Sequence, residues 1–188
     1  MSEHGGSEEA RVVTRVALYT PSWVITGSLR TATPVRLSDL LNNWSEAFLP
    51  LDDARTVNLR DGRVESGAAP ASLLVALGEI LVLHEVPVPE AAARAGAAGM
   101  HVAKEPTTVG AYVGPLRIEG SLYMPTGANM AAYIDRCVGA FLPLTSVAIY
   151  PPDRERLGVV RVPFALVNRS HLVVGRMGKG ALPPEAVA

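Results

Sequence analysis

Cysteine and aromatic residues are scarce in this sequence. Its 188 residues include one cysteine, Cys137, and only 5% are Phe, Trp or Tyr. A single thiol excludes an intrachain disulfide and a cysteine-based metal site, and it suits a reducing compartment. With so few large aromatic side chains, Ala, Val and Leu must fill most of the core.

Neither charge sign is in excess, and no long hydrophobic run is present. The 17 basic and 18 acidic residues give a net charge of −1 and no general attraction to nucleic acid or anionic lipid. The longest apolar stretch, 71–83, is interrupted by Gly78 and Glu79 and is too short to span a bilayer. Residues 1–10 lack the features of a signal peptide. We therefore expect a cytoplasmic protein without membrane association.

Two stretches of the chain match each other at a constant spacing of 93 residues. Gly-Ser-Leu at 27–29 recurs at 120–122, and Ala-Phe-Leu-Pro-Leu at 47–51 recurs at 140–144. Over residues 19–57, 11 of 39 positions are identical without a gap, where chance gives roughly two or three. A period this long predicts tandem domains rather than a solenoid of short repeats.

Each repeat is predicted to contain about five short strands, with a small helix between strands two and three. In the first repeat, Gly27 predicts a bend or bulge, Ser38 predicts an N-cap of a helix to about Trp44, and Gly78-Glu79 predicts a tight corner between strands four and five. In the second repeat, a first strand is predicted from Thr108, and a Pro-rich turn over 151–153.

The predicted fold class is mainly β with short helices, as two tandem, internally duplicated five-stranded barrel-like units packed together. The apolar strands four and five of each unit predict burial on both faces, and the second face needs a partner, for which the sister unit is the nearest candidate. The predicted boundaries are a disordered N-terminus 1–10, a first unit 11–86, an Ala- and Pro-rich linker 87–104, a second unit 105–177 and a flexible tail 178–188.

The layout of each unit resembles the Sm-like small β-barrel, an SH3-like fold of five strands with a corner between the fourth and fifth. Residues 24–29 resemble that family's second strand, and residues 48–54 resemble its third strand, where an apolar stretch runs into acidic residues. The family's nucleotide-pocket motifs are not matched, so the resemblance does not by itself imply RNA binding, and an RNA- or nucleotide-binding module stays an alternative function. At the four/five corner of the second unit, Asn168 and Arg169 are the candidate ligand-binding residues.

A second resemblance is to the PilZ domain, which binds cyclic dinucleotides. Arg11 and Arg15 have the Arg-x-x-x-Arg spacing of that family, which implies a bidentate phosphate clamp. Asn43 and Ser45 match two residues of the family's second element, but Phe48 replaces its glycine. Solvated charges beside an edge strand remain the alternative interpretation of the arginines.

No sequence motif predicts a catalytic centre, a metal site or a cofactor. Trp23 and Trp44 are candidate interface residues, and core positions are the equally favoured alternative. Three hypotheses follow: a non-catalytic interaction or assembly protein, as a homo-oligomer or with a protein partner; an RNA- or nucleotide-binding module; and an enzyme of unrecognised type. Edge-to-edge association of small barrels favours the first.

Overall fold

The computed structural model describes residues 12–64, 72–86 and 104–176. The predicted N-terminal segment 1–10, nearly all of the predicted linker and the predicted tail lie outside these residues, as does Arg11. The mainly-β prediction is confirmed, because the described residues form a sheet of ten antiparallel strands with three short helices.

The strands fall into two runs of five along the chain, which we call the first and second halves. The strands of the first half are β1 (Val12–Tyr19), β2 (Trp23–Thr31), β3 (Phe48–Asn58), β4 (Ser72–Ala76) and β5 (Val82–Glu85). Those of the second half are β6 (Lys104–Val113), β7 (Leu116–Pro125), β8 (Phe141–Tyr150), β9 (Val160–Asn168) and β10 (Leu172–Arg176). The helices are α1 (Leu37–Asn42), α2 (Met130–Arg136) and α3 (Arg154–Leu157), and 3₁₀ turns span Leu77–Glu79 and Arg169–His171.

One continuous sheet contains all ten strands, in the order β10-β6-β7-β8-β9-β5-β1-β2-β3-β4. Each half has the same internal order, with its first strand between its second and fifth. The halves meet where β5 pairs with β9, with Val82 opposite Val167 and Leu83 opposite Leu166. We call this pairing the inner joint. Such a sheet is compatible with small barrel-like units, while the duplication and the Sm-like family stay predictions.

The second and third strands of both halves are paired through a bulge at a glycine. The register shifts beside Gly27 in the first half and beside Gly120 in the second. A Cβ at Gly27 would lie 3.1 Å from the carbonyl oxygen of Asp52, and one at Gly120 would lie 3.2 Å from that of Thr145. The predicted bend at Gly27 is therefore a bulge, at which the absent side chain lets the third strand approach closely.

The inner joint supplies side chains to two hydrophobic cores. Leu83 and Leu166 pack in the core of the first half, whereas Val82 and Val167 pack in the core of the second half. Successive residues of a strand point to opposite faces, so β5 and β9 each give one face to each core. The prediction that strands four and five are buried on both faces holds for β5 and β9, where the other half covers the second face. It is wrong for β4 and β10, which lie at the ends of the described sheet and expose Leu74 and Val173.

Two element boundaries and one additional short helix are the main differences from the sequence predictions. Helix α1 has Arg36 as its N-cap, two residues before the predicted N-cap Ser38, because burial of Leu37 and Leu41 places the first turn two residues earlier, and it ends at Asn42 instead of near Trp44. Strand β6 begins at Lys104, four residues before Thr108, because residues Lys104 to Thr107, of which the first three are exposed, pair with the end of β7. Two charged residues and a proline in this segment do not show the alternation of apolar and polar residues that predicts a strand.

The third difference is helix α3, which directly follows the predicted turn at 151–153. Asp153 is its N-cap, and the Asp153 side chain accepts a hydrogen bond from the backbone nitrogen of Arg156 at 3.2 Å. The sequence contained this signal in Asp153 followed by Glu155, but a four-residue helix lacks the apolar periodicity that identifies longer ones.

A buried histidine lies beside the inner joint. The His84 side chain is 4% exposed, its Nδ1 lies 2.9 Å from the carbonyl oxygen of Glu85, and its ring centroid lies 6.0 Å from that of Tyr19. Within the described part of the chain, Nε2 has no hydrogen-bond partner. Burial lowers the pKa of His84 from its ordinary value of 6.5, against a smaller opposing effect of the Glu85 carbonyl, so the folded protein favours the neutral imidazole.

We predict that His84 makes the stability fall in mildly acidic solution. Since the folded-state pKa is lowered, the contribution is complete above pH 6.5 and is lost as the pH falls below that value, with a slope of at most about 1.4 kcal/mol per pH unit. Urea unfolding between pH 7.5 and 5 measures this slope. His84→Leu should flatten it and the exposed control His171→Leu should not; an equal slope in wild type and His84→Leu would contradict the prediction.

Candidate functional site: the two open edges of the sheet

The strands at the two ends of the sheet, β4 and β10, each pair on one side only within the described residues. Beside β4, the side chains of Phe48 and Leu74 are exposed; beside β10, those of Tyr112 and Val173 are exposed. We call these two surfaces the β4 edge and the β10 edge. Both combine available backbone hydrogen-bonding groups with apolar side chains.

The composition of the edge strands does not protect them from pairing with further strands. Natural sheets discourage edge pairing with charged side chains, proline or bulges. Strand β4 reads Ser-Leu-Leu-Val-Ala, and β10 reads Leu-Val-Val-Gly-Arg, in which the last residue carries the single charge. A strand added to either edge would meet an almost uncharged row of side chains.

Of the predicted nucleotide-binding residues of the first half, the structure describes Arg15, Asn43 and Ser45. Arg15 is exposed on β1. Asn43 and Ser45 line a shallow cleft of about 340 Å³ beside α1, together with Asp39 and Glu46. The Asn43 side chain donates a hydrogen bond to the carbonyl oxygen of Asp39 at 2.8 Å. Two carboxylates in the same cleft disfavour a phosphate ligand.

Asn168 and Arg169 both bind backbone groups at the corner between β9 and β10. The Asn168 side chain is 3% exposed; it donates to the carbonyl oxygen of Ile80 at 2.9 Å and accepts from the backbone nitrogen of Ser170 at 3.0 Å. The Arg169 guanidinium donates to the carbonyl oxygens of Ile134 at 2.9 Å and Cys137 at 2.8 Å, at the C-terminal end of α2. Asn168 therefore links the halves, and Arg169 fixes α2 to the corner.

The two tryptophans pack partly buried against the core of the first half. The Trp44 indole nitrogen donates to the carbonyl oxygen of Phe48 at 3.1 Å, which places Trp44 directly behind the β4 edge. Their role as interface residues stays a prediction.

Sequence reasoning missed a charged cluster on the second half. The Glu119 side chain is largely buried; it forms an ion pair with Arg117 and accepts a hydrogen bond from the Tyr150 hydroxyl at 2.9 Å. Burial, followed by the neighbouring Glu119, raises the pKa of Tyr150. The guanidinium groups of Arg117 and Arg154 lie 5.1 Å and 5.0 Å from the centroid of the Tyr150 ring. Glu119 and Arg117 are two residues apart on one strand, so they share a face, and this spacing is the signal that could have found the pair.

A second shallow cleft, of about 480 Å³, lies next to this cluster. It is lined by Arg60, Pro152, Asp153, Arg154 and Glu155, and its basic and acidic side chains alternate in sign. The described residues contain no group of three or more His, Cys, Asp or Glu side chains placed to hold a metal ion. None of the described helices could cross a membrane.

We predict that Asn168→Ala destabilises the protein by about 2 kcal/mol, because it leaves the buried carbonyl oxygen of Ile80 without its donor. Chemical unfolding followed by circular dichroism measures the loss. Asn168→Asp keeps the acceptor for Ser170 but not the donor to Ile80, so it should be destabilised as well. Ser170→Ala, at an exposed neighbouring position, is the control and should stay within about 0.5 kcal/mol of wild type. A neutral Asn168→Ala would contradict the role of this amide.

Comparison of the chain with protein-family models, with curated proteins and with solved structures finds no match in any of the three.

Proposed function

We propose that this chain is a non-catalytic interaction protein that binds partners by adding strands to the edges of its sheet. The observation that carries the proposal is the pair of open edges, each flanked by large exposed apolar side chains. Main-chain hydrogen bonds at a sheet edge supply affinity, and alternate side chains along the strand supply specificity.

Four of the large apolar side chains that are exposed lie at the two edges, next to the backbone groups of the end strands. Leu74 and Val173 lie on the edge strands themselves, while Phe48 and Tyr112 lie on the strands next to them. Full burial of each such side chain stabilises a complex by about 1.5–3 kcal/mol. Burial of these side chains would therefore add to the affinity that main-chain hydrogen bonds supply.

The alternative functions predicted from the sequence receive less support from the structure. The cleft beside Asn43 and Ser45 contains two carboxylates, and Asn168 and Arg169 have backbone partners within the fold. We therefore propose a single function, partner binding by strand addition.

The test is the size of the full chain in extract and after purification. We expect wild type to be found in assemblies larger than one chain, and the double variant Leu74→Lys with Val173→Lys to shift to the mass of one chain. A lysine on each edge opposes pairing through its charge. Tyr123→Lys is the matched control, because Tyr123 is also exposed but lies on the interior strand β7.

Size-exclusion chromatography with light scattering gives the mass, and thermal unfolding shows whether the variants remain folded. A wild-type chain that has the mass of one chain in both extract and purified form would overturn the proposal. An equal loss of assembly in Tyr123→Lys would show that the effect does not depend on the edges.

A further inference from the structure

The inner joint and the two open edges are made of corresponding residues. At the inner joint, a fifth strand (β5) pairs with a fourth strand (β9). The β10 edge is the other fifth strand, and the β4 edge is the other fourth strand. The described part of the chain therefore contains one completed fifth-to-fourth pairing and the two separated sides of another.

Correspondence between the halves can be assigned residue by residue from strand register. Tyr19 and Tyr112 are 93 residues apart; Val82 lies opposite the first and Val173 opposite the second. In the same way Leu74 lies opposite Pro50 and Leu166 opposite Pro143, and these two prolines are 93 residues apart. Val82 thus corresponds to Val173, and Leu166 corresponds to Leu74.

Four large side chains cross the inner joint to pack in the core of the opposite half, and the counterpart of each is exposed at an open edge. The pairs, with the exposed fraction of each residue, are Tyr19 (4%) and Tyr112 (60%), Val82 (0%) and Val173 (70%), Phe141 (3%) and Phe48 (50%), and Leu166 (0%) and Leu74 (64%). The same residue types are thus buried at the completed joint and solvent-exposed at the edges. This match indicates what the edges bind.

We propose that the partner is a second copy of this chain, with the β10 edge of one copy paired antiparallel to the β4 edge of the next. This inference rests on the proposed strand-addition function and specifies its partner. Copying the register of the inner joint places Val173 of one copy opposite Val75 of the next, and Val174 opposite Leu74. Because the two edges differ, the contact is head-to-tail, and repetition gives a closed ring or a filament.

One feature of the inner joint is changed at the edges, and it makes the contact between copies weaker than the inner joint. The Asn42 amide donates to the carbonyl oxygen of Phe141 at 3.1 Å and accepts from its backbone nitrogen at 2.9 Å. Gly139, with φ of 98°, leaves room for this amide, since a Cβ there would lie 2.4 Å from Asn42 Cγ. At the 93-residue offset, Asp135 stands in place of Asn42 and Glu46 in place of Gly139.

A contact between copies in this register brings the exposed Asp135 of one copy toward the exposed Glu46 of the next. A carboxylate at Asp135 accepts a hydrogen bond but cannot donate one to Phe48, and two like charges about 4 Å apart repel by about 1 kcal/mol even in water. The inner joint therefore forms within every chain, whereas the contact between copies depends on concentration and is strengthened by salt, which screens the repulsion.

Cysteine cross-linking tests the register in the purified full chain. All variants carry Cys137→Ala, and Val75→Cys and Val173→Cys are placed in separate chains. On mixing and mild oxidation, we expect a disulfide-linked pair of chains, because directly opposed strand residues have Cα atoms within disulfide range. Each variant oxidised alone is the matched control and should stay uncrosslinked. Cross-linking of either variant with itself would indicate a symmetric contact and overturn the head-to-tail arrangement.

The failures of the two proposals are distinguishable by mass. Purified wild type that stays at one chain over a wide concentration range, yet assembles in extract through its edges, would overturn self-pairing and leave strand addition standing. Wild type at one chain under both conditions would overturn both. Multiples of the chain mass in purified protein, lost in Leu74→Lys with Val173→Lys, support both.

We further predict that Asp135→Asn with Glu46→Gly strengthens self-association at least about fivefold at low salt, because it removes the repulsion and restores the amide and the space of the inner joint. Sedimentation velocity over a concentration series measures the dissociation constant. The control Asp39→Asn removes a carboxylate elsewhere on the same surface and should change it little. No tightening in the double variant, with folding intact, would contradict the proposed register.

Discussion

The pairing of β5 with β9 is the interaction on which the rest of the structure depends. Each of these strands is apolar on both faces, so neither can be buried by the half of the sheet to which it belongs. When β5 and β9 lie side by side, both faces of each strand are buried, because Val82 and Val167 pack in one core while Leu83 and Leu166 pack in the other. The two halves therefore share their cores and do not merely touch.

The same requirement explains the open edges. A half-sheet of this design has a fourth strand on one side and a fifth strand on the other, and each needs a neighbour. Among the described residues, the two halves pair one fourth strand with one fifth strand and leave one of each without a second neighbour. The unprotected composition of β4 and β10, and the exposed Phe48 and Tyr112 beside them, follow from this arrangement. The binding surfaces that we propose therefore lie at the ends of the sheet.

Much of the fold could be predicted from the sequence because local signals agreed with one another. Gly27 marked the bulge, Gly78-Glu79 marked the corner, and the apolar runs on either side of that corner marked the strands β4 and β5, of which only β5 is buried on both faces. Lys104 to Thr107 could not be identified as strand, because their pairing is decided by the length of β7 and the first three side chains are exposed. Helix α3 was missed because it is too short for periodicity.

The candidate site was harder to predict, because it depends on which strand lies beside which. Tyr19 and Tyr112 are identical in type and equivalent in spacing, yet one is buried and the other exposed. That difference comes only from the neighbour of each half, and no local pattern contains it. Asn168 and Arg169 were predicted as ligand residues from their side-chain chemistry, and the sequence did not show that the Asn168 amide donates to Ile80 and that Nη1 of Arg169 donates to backbone carbonyls at the end of α2.

The shared cores also constrain how the chain folds during synthesis. The β9 residues that pair with Val82 and Leu83 lie 85 and 83 residues later in the sequence. Phe141 and Leu166, also from the second half, complete the core of the first half. A nascent first half therefore remains with an open core until most of the second half has emerged, and loop-closure entropy makes this long-range pairing slow. The two halves should consequently fold and unfold as one cooperative unit.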